Sequence, residues 1–336
     1  MKQGKTERLV EQTGRYYTDL IWMMLPLLCM AVYYYGPRPV VLCLVAVITA
    51  NLCDRVVCLL RQRPYVRNDF SNESFALVIA MLLPAGVSWY VLVVAVLAGI
   101  VIGKEMFGGY GSYPFNPAAV GYAVAAVSWP QQVFRYPVPH TVLPLLDMTG
   151  VPATVGISNT LKNGGLPIVS TMNLLLGDYA GPMGATAALV ILSCALFLLV
   201  RRDIHLETPL CFVFVCALVA FFFPRQAVLV GTGVLATLAQ RLVVVRYELL
   251  SGAVLFGAVF LLGEPYTSPR NRVGRVVYGL LVGAVAMAFR YYGVYETGMC
   301  FAMLMVNSIS GWLDRFVSRL QGTHRVKKLM QGGADA

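Results

Sequence analysis

A run of small, hydroxylated residues, LLDMTGVPATVGISNTLKNGG at 145–165, interrupts an otherwise apolar chain and offers Asp147, Thr149, Thr154, Ser158 and Thr160. It does not suit acyl transfer, because no orienting partner is apparent for His140 and no G-x-S-x-G elbow is present. A threonine hydroxyl is a poor nucleophile unless another agent activates it. The chemistry open to this stretch is therefore modification by a separate enzyme.

Two other segments carry reactive or binding groups. In GKEMFGGYGSYPFNPAAVG, 103–121, the glycines free the backbone while Pro114 and Pro117 block helix on either side of Asn116. Tyr113 and Phe115 could stack on a planar ligand and Asn116 could offer it an amide; an ordinary tight connection is the competing reading. In GEPYTSPRNRVGR, 263–275, Glu264 falls where an apolar run ends, with Thr267 and Ser268 beside it. A carboxylate there is either an interfacial charge or part of an ion path. Asp54 and Asp314 are similar candidates, although Arg55 and Arg315 follow them and local charge compensation would explain both.

The elements that must position these groups are membrane helices. Of 336 residues 58% are hydrophobic and 12% charged, against about 25% charged in a soluble domain, and mean hydropathy is +0.70. Apolar runs near the length of about 20 residues that crosses a bilayer recur along the chain. The fold class is all-α and integral to the membrane, with about ten helices expected at 20–36, 39–60, 74–86, 89–104, 117–130, 184–200, 208–223, 244–262, 276–290 and 297–313. The start lacks the order of a signal peptide, so the first span is expected to stay. The eight cysteines form no CxxC pair and the three histidines, His140, His205 and His324, are scattered, so no metal site is expected.

With both ends in the cytoplasm, 19 of the 26 Lys and Arg fall on the cytoplasmic side and 7 on the other, as the positive-inside rule requires. Trp22, Trp89 and Trp129 fall near span ends, where an aromatic belt would sit. This divides the chain into a cytoplasmic segment 1–19, a transmembrane domain 20–313 and a cytoplasmic tail 314–336. The hydroxyl-rich stretch then lies in an outer connection of about 131–183, and loops so long are often functional. SFALVIAMLLPAG and SGAVLFGAVFLLGEP are similar, small-residue-rich and oppositely directed, which suggests a five-plus-five inverted repeat.

GGYGSYPFNPAAVGYAVAAVSWP, LLSGAVLFGAVFLLGEPYTSPRNRVGRVVYG and MLMVNSISGWLDR, in this order, resemble the family of the D subunits of Rnf complexes. These complexes are ion-translocating ferredoxin:NAD oxidoreductases, and the family includes the B subunit of the sodium-pumping NADH:quinone reductase. The resemblance spans about residues 5–320. It implies an inverted ten-helix fold, a bacterial or archaeal cytoplasmic membrane, and electron transfer coupled to Na⁺ or H⁺ movement. It also implies FMN bound covalently by a phosphoester to a threonine in the outer connection, placed there by a flavin transferase. Partners implied are the A, E and G membrane subunits and the B and C cytoplasmic subunits of the complex.

The family motif for the flavin is close to D-x-x-(S/T)-G-A-T, and this chain reads DMTGVPAT from Asp147 through Gly150 to Thr154. Aligning the terminal Ala-Thr makes Thr154 the modified residue, with Thr149 the runner-up. MGATAAL at 183–189 also contains Gly-Ala-Thr, but Thr186 lacks the upstream acid and is rejected. A noncovalent riboflavin is implied as well, with Tyr113, Phe115 and Asn116 its expected contacts. No GxGxxG or Walker loop is present, so NAD and iron–sulfur clusters are expected on the partners. A secondary transporter, which would be colourless, and a scaffold without flavin are the competing functions.

Overall fold

The computed structural model describes residues 2–62, 70–146, 148, 150–224, 234–293, 295 and 297–332. Asp147 and Thr149, and the basic residues Arg63, Arg67 and Arg225, lie outside the described residues.

The first half runs α1 (Lys2–Tyr35), α2 (Arg38–Leu60), α3 (Ser71–Leu82), α4 (Trp89–Ala98) and α5 (Pro117–Ser128). Local residues set the breaks. Gly36 takes a left-handed φ of +76° between α1 and α2, a conformation that glycine adopts without steric cost. Leu83 turns extended before Pro84 and stops α3. α4 continues as a π-helical turn, Gly99–Lys104. Asn116 caps α5, its side chain accepting from the amides of Ala118 and Ala119, with Pro117 at the first helical position.

The 131–183 connection carries short pieces: α6 (Pro130–Val133), β1 (Arg135–Pro137), β2 (Ala153–Val155), α7 (Ile157–Lys162) and α8 (Thr171–Leu176). β1 and β2 form an antiparallel ribbon that an all-α reading does not contain. The second half runs α9 (Ala188–Val200), α10 (Glu207–Phe222), α11 (Val234–Leu250), α12 (Val254–Phe256) with a π-helical turn Gly257–Leu261, α13 (Arg272–Tyr292) and α14 (Met299–Gly332).

Helix therefore stands at each of the ten expected places, but span lengths differ. Among the described residues, four helices are long and apolar enough to cross a bilayer alone: Gly14–Tyr35 within α1, α2, α4 with its π turn and the 3-10 turn Glu105–Phe107, and α13. The expected eighth helix is a pair, Thr237–Leu250 and Val254–Leu261, bent by 58° at Ser251–Ala253. α3, α5, α9 and α10 are shorter apolar helices. At the two ends, α1 begins at Lys2 and α14 reaches Gly332, so helix extends well beyond 20 and 313.

Helix contacts depend on glycine where backbones approach. A Cβ on Gly99 would meet the Pro117 carbonyl oxygen at 2.8 Å, and one on Gly121 would strike the Ala95 carbonyl oxygen. Small residues of this kind let membrane helices pack without a hydrophobic driving force between them. The result is a multi-pass membrane bundle with one large apolar core spanning both halves.

Candidate functional site

Two sites stand at opposite ends of the apolar part of α1, Gly14–Tyr35. Tyr35, at its C-terminal end, accepts from the Leu143 amide and so touches the 131–183 connection. Tyr17 lies about 27 Å back along the helix at 1.5 Å per residue, in a buried polar cluster.

At the first end, Thr154 sits mid-strand in β2 opposite Tyr136. All three residues of β2 are exposed, while Tyr136 and Pro137 of β1 are buried. Pro137 and Met148 close over Gly86 in the α3–α4 turn, which seats the ribbon on the helix bundle. Beneath it Arg38 is fully buried and its guanidinium donates to four carbonyls. Two belong to the α3–α4 turn, Ala85 at 3.0 Å and Val87 at 3.0 Å, and two to the connection, Pro144 at 2.7 Å and Leu145 at 2.8 Å. The Trp89 ring lies 5.0 Å from its Cζ.

Downstream of the ribbon, the buried Ser158 accepts from Arg290 at 2.9 Å and Lys162 donates to the Gly293 carbonyl. Arg290 is paired with Glu248 at 2.6 Å and also donates to Ser251 Oγ at 2.7 Å. One buried arginine from each half of the chain thus fastens the connection, ahead of Thr154 and behind it. Gly150 is exposed with a φ of +83° and open space around it. Among the described serines and threonines of 145–165, Thr154 is the exposed one. Thr186 is buried, in a segment packed so closely that a Cβ on Gly184 would strike the Met81 side chain.

The second end is built from the other two segments singled out in the sequence. Glu264 is 1% exposed. Its Oε1 accepts from Tyr17 and from Tyr113, each at 2.8 Å, and its Oε2 from the amides of Tyr266 at 3.1 Å and Thr267 at 2.7 Å. The two phenol oxygens are 2.6 Å apart. Tyr110 packs edge-on against both Tyr17 and Tyr266, and the buried Lys104 lies 5.8 Å from its ring centroid. Lys104 donates to Ser71 Oγ at 2.7 Å and Asn72 Oδ1 at 2.8 Å.

The expected flavin-loop residues are accordingly occupied in different ways. Tyr113 is buried on Glu264, and the Asn116 amide is divided between its cap and the Leu261 carbonyl at 3.3 Å. Phe115 is half-buried with its ring 5.8 Å from that of Phe107. Asp314 joins the Glu264 turn, accepting from the Arg270 amide at 3.2 Å, whereas Arg315 donates to the Gly311 carbonyl of its own helix. Asp54 lies apart, buried on α2, and Glu105 meets Arg61 at 3.8 Å. Tyr17, Lys104, Arg38, Arg290 and Glu248 escaped sequence reasoning. A lone arginine or lysine at a predicted span end reads as an interfacial charge.

The profile of the NQR2, RnfD, RnfE family matches residues 7–321, nearly the whole chain. The chain belongs to the NQR2, RnfD, RnfE family. Among its relatives, the D subunit of the ion-translocating oxidoreductase complex of Actinobacillus succinogenes is 29% identical, covering 90% of this chain and 92% of that protein. The corresponding D subunit of Alcanivorax borkumensis is 28% identical over 90% and 91% of the two chains. The D subunit of the Na(+)-translocating ferredoxin:NAD(+) oxidoreductase complex of Acetobacterium woodii is 26% identical over 96% and 94%. In this chain the GGYGSYPFNP and GEPYTSP segments meet on one buried carboxylate, Glu264.

Proposed function

We infer that this chain is a membrane subunit of an Rnf-type, ion-translocating ferredoxin:NAD⁺ oxidoreductase complex. It carries electrons through FMN held on Thr154 by a phosphoester and couples their passage to Na⁺ or H⁺ movement. Family membership and the names of its relatives support the complex. The observation that carries the flavin reading is the exposure of Thr154 on a ribbon clamped to the bundle on both flanks.

The residues present fit such a group. Thr154 presents its side chain outside the packed bundle, and Gly150 leaves open space where a bulky ring would need it. When bound, the flavin supplies the redox chemistry, and the protein supplies position and electrostatics. Arg38 and Arg290 hold the strand, and Thr154 gives the oxygen of attachment. A riboflavin at the 113–116 loop belongs to the same reading. Phe115 is the group open to it, since Tyr113 and Asn116 are engaged elsewhere.

In this reading the ten helices form two inverted halves in the cytoplasmic membrane, with the segments 1–19 and 314–336 in the cytoplasm. The A, E and G membrane subunits, the B and C cytoplasmic subunits, and a flavin transferase are its partners. Glu264, Asp314 and Asp54 are the ion-path candidates.

The test is intact-mass measurement and in-gel fluorescence of the protein matured beside its transferase. Wild type should carry one FMN increment and a fluorescent band, and Thr154→Val should lose both. A wild-type mass without the increment removes the covalent flavin. Label surviving in Thr154→Val moves it to another hydroxyl, with Thr149 first in line.

A further inference from the structure

We propose that Glu264, Tyr17 and Tyr113 form a binding site for a single exchangeable proton, its third hydrogen carried on Glu264 Oε1. This deepens the ion-translocating reading and rests on it for its role, though not for its geometry.

Hydrogen counting carries the inference. Glu264 Oε1 and the hydroxyl oxygens of Tyr17 and Tyr113 make an almost equilateral triangle with edges of 2.8, 2.8 and 2.6 Å. Each edge has the length of an O–H···O hydrogen bond, and each such bond requires a hydrogen between its oxygens. Two phenols supply two. The third edge is complete only when the carboxyl brings its own: Oε1–H donates to one phenol, that phenol to the other, and the second back to Oε1. Without the third hydrogen one edge is always bare: the two phenol oxygens at 2.6 Å when both donate to Oε1, or a phenol and Oε1 at 2.8 Å when one phenol donates to the other.

The surroundings suit a hydrogen better than an alkali cation. Both partners of Oε2 are N–H donors, the amides of Tyr266 and Thr267, and a hard cation needs oxygen acceptors in that place. Oxygens that share a hard cation also spread wider than this triangle does. Among the described residues, the titratable groups facing Glu264 are Tyr16 and Tyr17 of α1, Tyr113 of the glycine-rich loop and Tyr278 of α13, all of them phenols. Lys104 stands behind Tyr110. Among the described residues Glu264 has no ion pair.

The site can also give its hydrogen up. Once ionised, Glu264 keeps four donors, two phenols on Oε1 and two amides on Oε2, which is the number of acceptor positions a carboxylate offers. Nearby, the buried hydroxyls of Tyr16 and Thr267 have no hydrogen-bond partner among the described residues. They are polar groups beside the triad with hydrogen-bonding capacity to spare, as a transfer route would need.

Infrared difference spectroscopy on the full chain in lipid, exchanged between H₂O and D₂O at fixed pH, tests this. Wild type should show the C=O stretch of a protonated carboxylic acid, shifted down in D₂O. Glu264→Gln should lose that band, and Tyr17→Phe should keep it at a displaced frequency. The Tyr17 variant decides the matter if Glu264→Gln fails to fold. Titration with sodium at constant pH should leave the band in place. Absence of any Glu264-dependent band overturns the proposal, and so does a band that sodium abolishes in favour of a carboxylate signal. Flavin mass and fluorescence on the same samples report separately on the electron-carrying reading, so either can fail while the other stands.

Discussion

Arg290 of α13 and Glu248 of α11 meet at 2.6 Å with both side chains almost fully buried, and the same guanidinium reaches Ser158 in the 131–183 connection. Removing one partner of a buried pair leaves an uncompensated charge and costs about 3–5 kcal/mol, whereas replacing both with apolar groups is often neutral. Glu248→Leu and Arg290→Met should each lower the melting temperature of the solubilised protein clearly. An Arg290→Met/Glu248→Leu double variant should recover much of that loss. Limited proteolysis should also cut near Ser158 faster in both Arg290 variants, because the serine loses its donor. A double variant as unstable as the sum of the two singles would show that the pair is not a coupled unit.

Arg38 presents the opposite case: a buried guanidinium among backbone carbonyls. Each carbonyl stranded by its removal costs about 1–3 kcal/mol. A lysine has three donors on one nitrogen and lacks the planar fork. Arg38→Lys should therefore be only a partial rescue of Arg38→Met in thermal stability. Hydrogen exchange at 143–146 should rise in both, more strongly in Arg38→Met. Exchange at Leu143 unchanged from wild type in Arg38→Met would remove Arg38 from its role in seating the connection.

Gly121 on α5 tests the packing between α4 and α5. Its Cα hydrogen faces the Ala95 carbonyl oxygen and the Ile79 side chain. Backbone cannot retreat as a flexible side chain can, so Gly121→Val should cost at least the 1–3 kcal/mol typical of overpacking, roughly. Gly14→Val, where nothing lies within 4 Å, is the control and should leave the melting temperature unchanged. Equal melting temperatures for the two variants would contradict the close approach.

What the sequence made legible follows from the range of the interactions. Apolar runs broken by Gly36, Pro84 and Pro117 place the helices because those signals are local. The β1–β2 ribbon was not legible, since three residues per strand are too few to show a period of two. The continuation of α1 back to Lys2 was hidden by polar residues that carry no apolar stripe. Asn116 before Pro117 is an ordinary helix-start signal, and its side-chain oxygen caps α5. Tyr17 gave no signal at all: its partner Glu264 lies 247 residues away. Thr186, in the other Gly-Ala-Thr of the sequence, is buried.

Asp203, in the turn between α9 and α10, should give stability a distinct pH dependence. Its side chain is 2% exposed. Burial first, then the hydrogen bond and charge of Asp19, push its carboxyl from 3.8 up to about 6, against the pull of Arg15 and Arg201. The folded state therefore binds more protons than the unfolded state between these two values. Stability from this group is fully present below the lower value and declines as pH rises through the upper one. Asp203→Asn cannot ionise and should remove that decline. The difference in melting temperature, variant minus wild type, should grow from about pH 4 to about pH 6 and level off above about pH 7. A difference that stays constant across that range would mean that Asp203 does not titrate there.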